Sequence, residues 1–489
     1  APNPTLSDPQ VTRWYDTRWQ REPLNPAALT QGAPETLAEQ LHLPDANPFI
    51  PDNLDLVAGA SMPHPVRLGA PEGLALWFAR DTRFDTPKAN VFIGLRTPAA
   101  RASARSAVLT QLLVDAINTN LNAWAYPARL AGLNYSVYPH LRGITVRVGG
   151  YSDKLHTLVS RILGQVAHPR LTESRFEIAR RNLIDGLENR AKDKPVDQTS
   201  EFVQTALIEG AWSTEEKLRA AREVTFDELR SFADNLLTEV DPVILAHGNL
   251  TEASALNLAQ QVRALALSGS RTTDVPRSHV RRLPPGETRV SLTVDHPDTG
   301  YTLYLQGDDT GFAERARFRL LAQLISSPFY EDIRTNRQLG YIVYATPFEM
   351  LETPALGLVV QSPATGPEQI DAAVRAFAEQ FEARLSNLDE AQLQREKQAV
   401  ISRLLEKERQ LGDVSGRYWR EIDRQATGFD SRQRLAEAIR AVTRDELVDT
   451  LRRSLLERQH ALRVTTGGEG LDETAALEQL TRQPAVPAG

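Results

Sequence analysis

The sequence predicts an α+β fold: two homologous domains, each a mostly antiparallel sheet packed against several helices. Three observations predict it. Short runs with strand alternation are mixed with long helical repeats, without a regular βαβ rhythm. The order of elements comes round a second time after residue 286. Matching segments stand at a nearly constant offset: Val224-Thr225-Phe226-Asp227-Glu228-Leu229 answers Val442-Thr443-Arg444-Asp445-Glu446-Leu447, and Leu171-Thr172-Glu173 answers Leu388-Asp389-Glu390. One domain type of roughly 220 residues, used twice, accounts for nearly the whole chain.

The elements follow in order. Residues 1 to 13 are irregular, and Trp14, Tyr15 and Trp19 read as aromatics that pack an entry segment onto a domain. Leu24 to Leu43 carries a weak helical pattern. Asn47–Pro51 reads as a proline-bounded loop strapped on by Phe49 and Ile50. Leu74–Phe78 and Asn90–Leu95 are β-prone strands. Ala104–Ala125 is an amphipathic helix, after which Gly132 turns the chain into a strand. Ile144–Val148 alternates cleanly. Helices are expected over Leu155–Val166, Thr172–Ala191, Asp197–Gly210 and Val224–Leu237, with capping boxes at Ser213/Glu216 and Thr225/Glu228. Val243–Ala246 is a strand, and a helix then runs to about Leu267. Ser268–Gly286 is polar and proline-rich and reads as a linker. Residues 1–267 would then form the first repeat with its lead-in, and 287–489 the second.

In the second repeat Val290–Val294, Tyr301–Leu305 and Leu356–Val360 read as strands. Helices are expected over Glu314–Ile325, from Glu368, from Asp389, from about Ser415, and from Val442 with a capping box at Thr443/Glu446. Between them lies Tyr330–Tyr344, YEDIRTNRQLGYIVY. Ser327-Pro328 resembles a cap followed by a first-turn proline, which predicts a new helix there; Ile333 faces inward and Gly340 ends it. Tyr341 then opens a strand. A guanidinium at Arg334 and a phenol at Tyr341 can donate hydrogen bonds into one cleft, which suits a peptide carbonyl that gains negative charge. From pattern alone, a solvated helix charge and an ordinary strand aromatic are the simpler reading.

Composition narrows the function classes. Of 489 residues, 41% are hydrophobic and 24% charged, as in a globular protein, and the net charge of −7 with no dense Lys/Arg block argues against a nucleic-acid surface. No apolar run is long enough to span a bilayer. Cysteine is absent, so disulfides and thiolate metal sites are excluded, while the compartment stays open between an oxidising periplasm and the cytosol. The start, APNPTLSDPQ, reads as a processed end or as one piece of something longer.

Catalytic motifs are sparse. None of the nine histidines stands at i, i+4 from another, and neither H-E-x-x-H nor H-x-x-E-H occurs. His247, in His247-Gly248-Asn249, reads as a turn histidine with a satisfied ring rather than a ligand. Gly149-Gly150 lacks a dinucleotide fingerprint's spacing, and there is neither a P-loop nor G-x-S-x-G. The chain thus offers a substrate clamp without a nucleophile or metal motif, and no metal-ligating residues are assigned.

The stretch I-R-T-N-R-Q-L-G-Y-I-V-Y (Ile333–Tyr344) closely resembles a segment in the second half of the pitrilysin/insulysin family of zinc peptidases. Supporting stretches stand in the same order: L-W-F (Leu76–Phe78), L-A-G-L-x-Y (Leu130–Tyr135), A-W-S (Ala211–Ser213), H-G-N-L (His247–Leu250) and Y-W-x-E-I (Tyr418–Ile422). The resemblance covers the chain from Trp14 to about Leu462. It implies the C-terminal half of such a peptidase, comprising its third and fourth domains. Zinc would be bound by an N-terminal half through H-x-x-E-H, and this chain alone would be inactive and bind none. Arg334 would hold substrate backbone, and Tyr341 would both bind substrate and donate to the scissile carbonyl or oxyanion. The implied partners are a peptide substrate and the zinc-bearing half, on the same polypeptide or on a partner chain as in heterodimeric peptidases of the superfamily. A peptide-binding module without catalysis is the other alternative. The resemblance and the absent cysteine favour the periplasm.

Overall fold

The computed structural model describes residues 6, 9–21, 23, 46–190 and 192–489, apart from the side chains of Ala123 and Trp124. The chain divides into two compact units, Ala1–Pro48 and Phe49–Gly489. In the first unit, β1 (Gln10–Val11) and β2 (Arg18–Trp19) pair antiparallel. The turn between them carries Trp14 and Tyr15, with the Arg13 guanidinium 4.9 Å from the Trp14 ring centre. The helical pattern over Leu24–Leu43 lies outside the described residues.

The second unit holds two sheets. The first is built from β3 (Val66–Leu68), β4 (Ala75–Arg80), β5 (Lys88–Arg96), β6 (Asn134–His140), β7 (Gly143–Tyr151), β8 (Glu239–Gly248) and β9 (Arg271–Thr272). Its order is β3-β4-β8-β5-β7-β6, with β9 added to β8. The second contains β10 (Gly286–Leu292), β11 (Thr299–Gln306), β12 (Ile342–Pro347), β13 (Ala355–Ser362) and β14 (His460–Thr466), in the order β10-β14-β11-β13-β12. From β4 to β6 the first order corresponds strand for strand to the second, with β3 and β9 additional to the first sheet. β4 beside β8 and β10 beside β14 are parallel, and the three following pairs in each sheet are antiparallel. The repeat seen in sequence is thus a repeat of topology.

The helices are α1 (Ala104–Leu130), α2 (Leu155–Ala167), α3 (Glu173–Arg190), α4 (Pro195–Leu207), α5 (Thr214–Glu223), α6 (Phe226–Asn235) and α7 (Glu252–Ala266), then α8 (Phe312–Tyr330), α9 (Pro367–Ser386), α10 (Glu390–Leu404), α11 (Leu411–Asp423), α12 (Ser431–Ala441), α13 (Arg444–Leu451) and α14 (Glu473–Leu480). All three expected capping boxes form, at the starts of α5, α6 and α13, each satisfying two otherwise orphaned backbone donors. The first sheet packs its inner face on α1, α2 and α7 through residues such as Ile93, Leu112, Leu158 and Leu258. The second does the same with α8 and α9 through Leu303, Leu321 and Val374.

Two helices cross between the sheets. By chain position α4 precedes β8 of the first sheet, yet its Phe202, Val203, Ala206 and Leu207 pack with Val290, Leu292 and Tyr304 of the second. In return α11, which precedes β14, packs Val414, Tyr418 and Ile422 on Phe92, Val243 and Leu245 of the first. The two helices have 13 residues each and start at corresponding points of the two repeats, Pro195 and Leu411. Each sheet therefore has helices on both faces, and each repeat supplies one to the other.

Some local expectations are corrected. No helix restarts at Ser327; α8 runs through Pro328 to Tyr330 and widens into a π-helical turn over Glu331–Asn336. Proline can sit there because the missing N–H removes one bond near the helix end, and the wider turn re-pairs the chain, as in Arg337 N–H to Asp332 C=O at 2.9 Å. The left-handed residue that ends the turn is Gln338 (φ 54°), not Gly340. Gly340 is required for close approach instead: a Cβ there would lie 2.6 Å from the Gln361 carbonyl oxygen. His247 lies in strand β8 rather than in a turn. Phe49 is buried, but Ile50 is exposed. Inside 268–286, β9 pairs with β8 and Val280 bridges to Ile208. β14, α12 and α14 were not anticipated.

Candidate functional site

The edge strand β12 and the turn before it carry the site. Ile333 is fully buried and anchors the π-helical turn. One turn face then presents Arg334, whose Nη1 donates to the Tyr341 carbonyl oxygen and whose guanidinium lies 5.3 Å from the Tyr330 ring centre. The Tyr341 N–H donates to the Gln361 carbonyl (3.0 Å), which locks the strand entry onto β13. The backbone of Tyr341 is thus held on both sides while its ring stays 46% exposed.

The phenol belongs to a three-member polar group. Tyr341 Oη donates to Asp298 Oδ2 (2.8 Å). Gln361 Nε2 donates to Tyr341 Oη (2.6 Å) and to Asp298 Oδ2 (2.9 Å). Gln361 is itself fully buried, and its Oε1 accepts from the Val196 N–H at the start of the crossing helix α4 (3.5 Å). The bond to Asp298 raises the Tyr341 pKa above the ordinary phenol value. Asp298 is pushed below the usual carboxylate range by the Gln361 amide and the Tyr341 hydroxyl. The structure therefore brings Arg334 and Tyr341 together, with their hydrogen bonds directed within the chain: the guanidinium to a backbone carbonyl, the phenol to a carboxylate. Among the described residues, one of the five Arg334 N–H donors is engaged.

Sequence reasoning missed Asp298 and Gln361. Asp298 follows His296-Pro297, and Gln361 is the one amide in the strand ALGLVVQS, which is apolar up to it. A lone amide in a buried strand was the available signal, since it must find partners.

The donor set here does not suit zinc. A guanidinium, a phenol, an amide and one carboxylate offer a single ordinary metal ligand, where zinc takes three or four from Cys, His and Asp/Glu. Among the described residues no group of three or more His, Asp or Glu side chains is disposed to hold a metal ion.

A second constellation has the outline of a catalytic triad but not its setting. His247 Nδ1 lies 2.7 Å from Ser415 Oγ, and Nε2 lies 3.2 Å from Asp81 Oδ2. All three residues are buried, and Ser415 Oγ donates to the Leu411 carbonyl of its own helix (2.8 Å). Burial pushes His247 below its ordinary pKa against the pull of Asp81. Burial alone would raise Asp81, but hydrogen bonds from His247 and Arg83 hold it well below the usual range. The group clasps α11 to the first sheet, and the histidine ring is satisfied there.

Comparisons with known proteins agree with this architecture. The family model described as the middle or third domain of peptidase M16 matches residues 2–220, and one described as PQQ synthase PqqF-like, C-terminal lobe domain 4, matches residues 320–419. Insulin-degrading enzyme of Homo sapiens is 26% identical over 506 residues, covering 98% of this chain and 49% of that protein. Putative zinc protease mug138 of Schizosaccharomyces pombe is 30% identical over 433 residues, covering 84% and 43%. Protease 3 of Escherichia coli is 27% identical over 481 residues, covering 93% and 49%. The crystal structure of pitrilysin superposes with a TM-score of 0.86 at 23% identity, covering 98% of this chain and 53% of that one. The inactive domain of a peptidase M16 from Pseudomonas fluorescens superposes with a TM-score of 0.62 at 14% identity, covering 83% and 99%. The chain spans about half the length of the curated relatives it matches. With the repeated sheet, the crossing helices and these matches in hand, the chain belongs to the M16 peptidases, among the pitrilysin/insulysin-type homologues.

Proposed function

We propose that this chain is the substrate-holding half of a zinc metalloendopeptidase that degrades peptides in an enclosed chamber. Its two repeats, 1–267 and 287–489 about the stretch 268–286, would be the third and fourth domains of the full peptidase. Zinc, which an N-terminal half would hold, would supply an activated water there. The observation that carries the reading is Tyr341: an exposed phenol, bonded to Asp298 and aimed by a buried amide. It donates to the carbonyl oxygen as negative charge develops, and Asp298 releases it as that stronger acceptor forms. Arg334 holds the adjacent substrate backbone with its remaining N–H donors. Putative zinc protease mug138 of Schizosaccharomyces pombe, a zinc protease by name of which this chain covers 43%, supports the zinc-peptidase part of the reading.

The test is Tyr341→Phe in the chain assembled with its zinc-bearing half. We expect kcat to fall roughly 10–1000-fold with an unchanged circular dichroism spectrum. Unchanged turnover overturns the assignment.

A second reading is a separate, non-catalytic partner subunit. The Pseudomonas fluorescens protein, an inactive domain matched over 99% of its length, favours it. The denatured mass of the polypeptide from its source cell separates the two: about twice this chain's 54.3 kDa for a single-chain enzyme, its own mass for a subunit. A periplasmic location is part of the proposal, supported by the absence of cysteine, and fractionation of the source cell tests it.

A further inference from the structure

A cavity of about 1250 Å³ opens in the first repeat between α1, α3, α4 and the start of α5. One face of α3 is given over to it. Ala179, Leu183, Gly186 and Leu187 recur at helical spacing along that face, and of the helix's 18 residues only Phe176 and Leu187 are buried. Ile178, which also lines the cavity, is 58% exposed. Val108 of α1 and Ile208 at the end of α4 extend the apolar wall. Gly186 lies inside the helix, where glycine is less stable than alanine. A Cβ there would meet nothing within 4 Å, so no contact in the chain demands glycine. It leaves the wall open.

Two opposite charges lining the cavity lack partners. The Asp115 carboxylate accepts one bond, from the neutral Gln111 amide (2.9 Å), and among the described residues it pairs with no cation. Burial pushes its pKa up. Among the described residues the Lys217 ammonium makes neither a hydrogen bond nor an ion pair. Burial pushes its pKa down, against the pull of Glu201. The other basic groups are accounted for. Arg101 donates to Ser278 Oγ (2.9 Å) and Arg175 to Asn120 Oδ1 (2.6 Å). Arg190 lies 4.0 Å from Glu201, which also accepts from the Thr214 hydroxyl. Burial pushes His140 down to about 4, so it is neutral at pH 7. Asp115 and Lys217 do not answer each other: Lys217 is acted on by Glu201, Arg190 and Glu216, and Asp115 by Gln111. A charge withdrawn from water without a counter-ion costs stability until one is supplied.

We propose that this cavity binds a short apolar peptide by its two charged ends, the ammonium at Asp115 and the carboxylate at Lys217. A zwitterion answers both unpaired groups at once, with charge-assisted hydrogen bonds. The apolar wall takes the side chains between the ends, and a cleft with a few placed polar groups on apolar walls suits a small organic ligand. Gly186 lets a peptide backbone lie close against α3. The inference rests on this cavity and not on the role of Tyr341. Its test needs no zinc-bearing half, so the two assignments stand or fall separately.

The test is calorimetric titration of the 489-residue chain with the peptide Ala-Leu-Leu-Ala, its N-acetylated form, its C-amidated form and free leucine, with thermal melts alongside. The free peptide should saturate one site and raise Tm. Blocking either end should weaken binding about tenfold, the loss of one charge-assisted pair. Asp115→Asn should weaken the free peptide about tenfold and bind the acetylated form equally well; Lys217→Met should do the same for the amidated form. Gly186→Leu should raise Tm by favouring the helix, yet fill the wall and weaken binding by about tenfold or more. Arg219→Gln, in an exposed ion pair on α5, should leave binding unchanged. Trp212 lines the cavity, so tryptophan fluorescence should change on binding, and that change should be lost in Trp212→Phe. The blocked peptides probe the unaltered chain, so the test survives a variant that fails to fold. Absent saturation, equal binding of free and blocked peptides, leucine binding as tightly as the tetrapeptide, or an end preference that outlasts the matching variant overturns the proposal.

Discussion

The two sheets meet one packing demand with a glycine and a side-chain amide in opposite places. In the first, Asn90 of β5 stands opposite Gly149 of β7; in the second, Gly300 of β11 stands opposite Gln361 of β13. A Cβ at Gly149 would lie 2.3 Å from Asn90 Oδ1, and one at Gly300 would lie 2.7 Å from Pro195 of the crossing helix. Each sheet thus keeps one amide and one vacancy for it or for the helix. Asn90 gives its Nδ2 to Ser415 Oγ of α11 (2.9 Å) and ends there. Gln361 takes the Val196 N–H of α4 and has its amide nitrogen left for Tyr341 and Asp298. Placing the amide on β13, next to the edge strand, lets one side chain serve both the helix and the exposed phenol. The first repeat spends its amide on packing, and the second couples packing to a site.

The largest effects should come from the reciprocal helices. Phe202 of α4 and Tyr418 of α11 are buried at equivalent positions of the two repeats. Truncating either to alanine should cost about 3–5 kcal/mol. Because each sheet is completed by the other repeat's helix, both variants should still unfold in one transition, read by urea titration with circular dichroism and tryptophan fluorescence. Two separated transitions in either variant would break the equivalence of the exchange.

Asp298→Asn sharpens the difference at the edge strand. The folded state raises the Tyr341 pKa chiefly through Asp298, so the variant should let it fall toward the ordinary phenol value. The sign follows. In the wild type, the Tyr341 contribution is whole below the unfolded phenol pKa and is lost as pH rises through the raised folded one. Asp298 is depressed, so its contribution is whole above the unfolded carboxylate pKa and is lost as pH falls through the lowered one. The alkaline limb of kcat in the assembled enzyme should therefore move to lower pH in Asp298→Asn. Tyrosine-labelled NMR, assigned with Tyr341→Phe, reads the same shift directly. An unmoved tyrosine titration would show that Asp298 does not hold the phenol.

Much of the fold was legible because it rests on local chemistry. Capping boxes, strand alternation and the Val224/Val442 repeat are short-range signals, and the α+β class follows from them. The helix exchange was not legible, because nothing in an amphipathic pattern such as α4 or α11 says which sheet it covers. β14 was missed because Arg463 puts a charge at a core-facing position of His460-Ala461-Leu462-Arg463. Arg463 is buried against Glu287 (3.1 Å), a partner at the other end of the repeat. At the site, Arg334 and Tyr341 stood out by their segment, whereas Asp298 and Gln361 are distant from Tyr341 in the chain and meet it only through strand register.

The smallest effect is the most direct test of equivalence. Thr225 and Thr443 cap α6 and α13 at matching points of the two repeats, and each side-chain oxygen accepts from the N3 amide at 3.3 Å. In each box the glutamate returns a bond to the cap's own N–H, at 2.8 Å from Glu228 and 2.7 Å from Glu446. Both glutamates also meet an arginine of the repeat's long helix: Arg105 of α1 lies 2.7 Å from Glu228, and Arg317 of α8 lies 3.6 Å from Glu446. Thr225→Ala and Thr443→Ala should each cost about 1 kcal/mol. The shorter Arg105 contact holds Glu228 in place when its threonine is lost, so the Thr225 variant should be the milder by a few tenths of a kcal/mol, at the scale of an exposed ion pair. Raising the salt concentration should erase that difference and leave the two caps equal; a gap that survives high salt would mean that the two helix starts are not equivalent.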